Sequence, residues 1–193
     1  MINEITVSKS CYDDFSIMSS CRTFEIIADN TPLYVNAGWL AELSPFFADY
    51  CFGETAQQQL RINDYTYSEV LECMRCIFFC PMRKPLTVHN VPLVLRFATQ
   101  YDMDPVIARC DRFITQNVAT LDRKRLFQVT RTLSRCDHNV TSMSVLVNRL
   151  ASIKEDSLVE MNFNEMPGQV VAEVYKEKIR RREHATNKWL CPL

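Results

Sequence analysis

The sequence predicts an α+β chain in which a short sheet is flanked by helical hairpins and followed by an all-helical extension. Three observations carry this. Residues 24–35 alternate apolar side chains around a turn, as paired strands do. From residue 37 onward, apolar residues recur three and four apart in stretches that open on capping residues or prolines. Beyond residue 118 no strand pattern remains, and the charge balance reverses.

Taken in order, residues 1–21 are weakly patterned; Tyr12, Phe15 and Met18 sit three apart, which suits a short helix or a docked arm. Phe24, Ile26 and Ala28 form the inward side of a first strand, Asp29-Asn30 is turn chemistry, and Pro32 to Val35 is the return strand. Asn36 then offers a side-chain oxygen to orphan N–H groups at a helix start, and Trp39, Leu40 and Leu43 give that helix one buried stripe. Ser44-Pro45 closes it and opens a second helix, since the residue before proline leaves the α region while proline at the first helical position loses nothing. Phe46, Phe47 and Tyr50 are the apolar face of this second helix.

A polar loop, 54–59, leads to a short strand at Leu60–Ile62. Thr66 and Glu69 form a capping box, followed by Val70, Leu71, Cys73, Met74, Ile77 and Phe78 at helical spacing up to Pro81. Leu86-Thr87-Val88 reads as a short strand. Pro92 opens a helix with Leu93, Val94, Phe97 and Ala98 inward, and Asp104-Pro105 opens another with Val106, Ile107, Cys110, Phe113 and Ile114. Then follow helices marked by Leu126, Val129 and Leu133; by Met143, Leu146, Val147, Leu150 and Ile153; a short one at 158–161; and a last one opened by Pro167 with Val170, Val171, Val174 and Ile179 inward.

Composition narrows the function. Of the 193 residues, 47% are hydrophobic and 23% charged, ordinary for a globular chain. No apolar run approaches the roughly 20 residues of a membrane helix, and no secretory signal is visible at the start, so nine cysteines are expected as reduced thiols in the cytoplasm or nucleus. Residues 1–118 hold 9 Lys/Arg against 14 Asp/Glu, and residues 119–193 hold 13 against 9. The first balance makes nucleic acid an unlikely partner. Three glycines, Gly38, Gly53 and Gly168, are too few and too scattered for a phosphate-cradling loop.

The order hairpin, helix pair with a Ser-Pro joint, strand, capped helix, short strand and helix pair resembles a BTB/POZ domain. The residues that carry it are FEIIADNTPLYVNAGWLAELSPFFADYCFGE, LRINDYTYSEVLECMRCIFF and VPLVLRFATQYDMDPVIARCDRFI, about half of the chain. The helices after residue 118 are similar to the 3-box or BACK-like region of MATH–BTB proteins, although no MATH domain precedes this one. The resemblance implies four segments: an N-terminal arm (1–22), a BTB/POZ domain (23–118), a BACK/3-box-like helical region (119–183) and a tail (184–193).

It further implies a protein–protein interaction scaffold that is not an enzyme, needs no cofactor, and pairs as a homodimer or with another BTB chain through Trp39, Leu40 and Leu43. It also implies cullin-3 as a partner, because Phe52-Gly53-Glu54 resembles the family's loose hydrophobic-x-Glu signature at the end of the second short helix, with Tyr50 beside it. Such a chain would be an adaptor that brings a substrate protein to a cullin-3 ubiquitin ligase. A BTB assembly protein acting in transcription is the alternative. The family's acidic residue before the first strand and its His-basic pair are replaced here by Thr23 and by Asn36-Ala37. The corepressor pocket of zinc-finger BTB factors is therefore not implied.

Reactive constellations have bland readings beside them. Cys73, Cys76 and Cys80 form C-x2-C-x3-C, with His89 as an outside donor, but they fall inside one periodic helix, where cysteine packs as a small hydrophobe. Cys136-Asp137-His138 lie side by side, whereas catalytic partners meet through the fold. Lys176 to Arg182 reads as a basic helix end complementing the helix dipole, with a nuclear-import or nucleic-acid role as the sharper alternative. The apolar tail 189–193 suits docking or a linear motif.

Overall fold

The computed structural model describes residues 15–78, 83–135 and 141–187. Contacts divide the chain into two compact units, Met1–Pro85 with Gln100–Val106, and Leu86–Thr99 with Ile107–Leu193. No helix among the described residues is long and apolar enough to cross a membrane.

The first unit is built on a three-stranded sheet in the order β2-β1-β3. Strands β1 (Phe24–Ala28) and β2 (Thr31–Val35) pair antiparallel through a two-residue turn. Asp29 and Asn30 both have positive φ, 48° and 59°, which a type I′ hairpin turn demands and which Asp and Asn tolerate best. Pro32 is harmless because β2 is an edge strand. Strand β3 (Gln59–Ile62) runs parallel to β1, so the chain between them must cross over, and helices α1 (Ala37–Leu43) and α2 (Pro45–Phe52) do so. Helix α3 (Tyr67–Ile77) buries Val70, Cys73, Met74, Cys76 and Ile77, and its capping box is complete.

The segment before β1 is a docked arm rather than a helix. Phe15 is buried, its carbonyl accepts from the Tyr34 N–H at 2.7 Å, and its ring meets Phe78 edge-on at 5.8 Å. The Arg22 guanidinium lies over both rings, 4.7 and 5.1 Å from their centroids. Met18 is exposed and Tyr12 lies outside the described residues.

Helices α4 (Val91–Gln100) and α5 (Asp104–Asn117) belong partly to each unit. In the second unit, α7 (Ser142–Ala151) packs against α6 (Arg123–Leu133) and against the 20-residue α9 (Gly168–Asn187), with the short α8 (Glu155–Glu160) between.

Four expectations are corrected. Residues 86–88 form no strand: the Thr87 N–H donates to the Asn90 side chain at 2.8 Å, and the Thr87 hydroxyl accepts from the Asn90 N–H at 3.3 Å, so this stretch caps the approach to α4. On α4, Leu95 is buried and Leu93 only half-buried. Lys176–Arg182 is not a helix end, because α9 continues to Asn187. Ile179 is not inward but 56% exposed.

Candidate protein-interaction site

The surface assembled by α1, α2 and the loop after it lies wholly in the first unit. Helix α1 starts where Asn36 Oδ1 accepts from the Trp39 N–H at 2.9 Å. Of its expected stripe only Leu40 is buried; Trp39 and Leu43 are half-buried. Two large apolar side chains thus keep part of their surface for something else.

Ser44 joins the two helices by three means. Its extended backbone ends α1, its hydroxyl oxygen accepts from the Phe47 N–H at 3.1 Å, and its hydroxyl proton is donated to the Tyr101 carbonyl. Phe47 and Cys51, four apart, face the core, and burial pushes the Cys51 thiol pKa up. Phe47 meets Phe24 edge-on at 6.5 Å, while Tyr50 stacks on Phe46 at 5.5 Å.

With Cys51 inward, the next residue turns outward, and Phe52 is 62% exposed. Directly behind it the chain is pinned. The Gly53 N–H donates to the Asp49 carbonyl at 2.7 Å, and a Cβ on Gly53 would stand 2.4 Å from that same oxygen. Glycine is needed here for closeness of approach, since its φ of −69° suits any residue. Tyr50 ties the loop at both levels: its carbonyl accepts from the Gln57 N–H at 2.9 Å, and its hydroxyl donates to the Gln59 carbonyl at 3.0 Å. Glu54 stands exposed at the loop's start. The arrangement is an aromatic knob on a fixed base beside two exposed carboxylates, Asp49 and Glu54, suited to docking in an apolar socket with a cationic rim.

The matching family model is described as the BTB/POZ domain and covers residues 20–118, half of the chain. The chain belongs to the BTB/POZ family. Cytokinesis defective protein 7 of Caenorhabditis elegans is 51% identical over 187 residues, covering 93% of this chain and 70% of that protein. BTB and MATH domain-containing protein 38 of Caenorhabditis elegans is 24% identical over 141 residues, 69% of this chain and 36% of that protein. A BTB domain is a protein–protein interaction module, and interaction is the role this fold supports.

The reactive constellations find different places. Cys73 and Cys76 are fully buried on α3; Cys80, the Cys136–His138 triplet and residues 188–193 lie outside the described residues. His89 is exposed, with its Nδ1 2.8 Å from Arg125. The cations of α9 are largely engaged: Arg180 and Arg181 pair with Glu177, Arg182 reaches Glu155 at 3.4 Å, and Lys178 donates to the Ile153 carbonyl. Sequence reasoning missed the exposed pair Ile17 and Met18 and the exposed Val159.

Proposed function

We propose that this BTB chain is an adaptor that carries a substrate protein to a cullin-3 ubiquitin ligase, itself making and breaking no bond. It would pair with a second copy or another BTB chain through α1 and act in the cytoplasm or nucleus. The observation that supports the cullin contact is Phe52: a large apolar side chain exposed at the end of α2, on a loop held by Gly53 and Tyr50. Seating such a ring in a partner's pocket is worth about 2–3 kcal/mol. Glu54 beside it would pair with a cation at the rim. Half-buried Trp39 and Leu43 support self-association in the same way. Doubling the adaptor would raise the local concentration of substrate at the ligase.

The test is affinity for the N-terminal region of cullin-3. Phe52→Ala should weaken binding by about tenfold or more and Glu54→Lys by less, as expected of a core anchor and a rim charge. Unchanged affinity in both variants overturns the contact.

A second reading is an assembly protein without ligase duty. It rests on the 51% identity to a protein whose name ties it to cytokinesis. A pull-down that recovers other BTB chains but no cullin subunit selects it over the first.

A further inference from the structure

The second unit contains a groove of about 450 Å3, between the start of α6 and the end of α7, that neither the cullin contact nor the pairing through α1 employs. Its floor is apolar: Leu121 and Leu126 are 3% and 1% exposed, and Ile153 is half-buried. Its rim is cationic, formed by the exposed Arg123, Arg149 and Lys154. Arg123 donates to the neutral Ser157 hydroxyl at 3.0 Å. None of the three has an ion-pair partner among the described residues. The one lining acid, Asp122, is already taken, since it caps α6 through the Arg125 N–H at 2.8 Å and pairs with the Arg125 guanidinium. The neighbouring Glu155 is bound by Arg182.

We propose that this groove takes an acidic peptide segment of a partner protein, carrying an aliphatic side chain as anchor. The volume falls within the roughly 300–1,000 Å3 of ligand pockets. The apolar floor offers nothing to a bare inorganic anion, and a phosphodiester backbone brings no aliphatic group to cover it. A segment with carboxylates flanking a leucine satisfies both parts, because its carboxylates meet unpaired cations while its apolar side chain leaves water. The groove's lining shares no residue with the Phe52 loop, so the proposal does not rest on the cullin contact.

The test is fluorescence polarisation of the full chain with a labelled peptide of about ten residues alternating glutamate and leucine. Saturable binding is expected, about tenfold weaker when the glutamates become lysines or the leucines serines. Binding should also weaken as salt rises from about 50 to 300 mM. Arg149→Glu with Lys154→Glu should lower affinity about tenfold or more. If thermal melting shows the double reversal unfolded, Arg149→Gln with Lys154→Gln takes its place. Equal binding of the lysine peptide, indifference to both double variants, or binding of inorganic phosphate or phosphatidylserine vesicles but not the peptide would overturn the assignment.

Discussion

Asp111, on α5, accepts a hydrogen bond from the backbone N–H of Ser142, the first residue of α7, at 2.9 Å. The same carboxylate accepts from the Thr141 N–H at 3.2 Å and the Thr141 hydroxyl at 2.6 Å. A residue thirty positions upstream therefore supplies the N-terminal cap of α7, and it is buried in doing so. Burial pushes the Asp111 carboxyl pKa up, but the bonds from Ser142 and Thr141 outweigh it and hold the group below the ordinary carboxylate value.

A pH dependence follows. With the folded pKa below the unfolded value of about 3.9, the stabilisation is fully present above that value and lost as pH falls through the folded one. Asp111→Asn should cost about 1–3 kcal/mol at neutral pH. Denaturant titrations between about pH 6 and pH 2 should show a shallower acid loss in the variant than in the parent.

At Gly53 the prediction is steric. Gly53→Ala forces a Cβ against the Asp49 carbonyl, so it should destabilise by about 1–3 kcal/mol and lower the melting temperature. An unchanged melt would mean that the turn yields at no cost.

Two phenylalanines on α2 should behave as opposites. Phe47 is fully buried, and Phe47→Ala should cost about 3–5 kcal/mol. Phe52→Ala, by contrast, should stay within about 0.5 kcal/mol of the parent. Chemical denaturation of both variants makes the comparison.

The cap before α4 has its own test. Thr87→Val removes the hydroxyl that accepts from the Asn90 and His89 N–H groups and should cost about 1 kcal/mol. In a strand the same exchange would be neutral or stabilising, so the sign of the change in thermal stability reports which structure the segment adopts.

Among the described cysteines, Cys21 alone is exposed, whereas Cys51, Cys73, Cys76 and Cys110 are buried. A thiol reagent should label Cys21 in the native chain and reach the other four only on unfolding, with mass spectrometry locating the adducts.

The amino-acid order by itself determined most of the elements and many of their ends, the expected strand at 86–88 excepted. The Asp29-Asn30 turn, the Asn36 cap, the Ser44-Pro45 joint and the Thr66–Glu69 box all depend on residues within four positions of one another, where hydrogen-bond reach and φ preference act locally. The order of those elements was also enough to read the family. Only tertiary structure decided that Phe52, Val159 and Ile179 remain exposed, that Asp29 caps α3 by accepting from the Tyr67 N–H, and that Leu86–Thr99 groups with the later helices. Helical periodicity says which residues share a face. It does not say what packs across from that face, and burial is fixed by that second surface, contributed by residues tens of positions away.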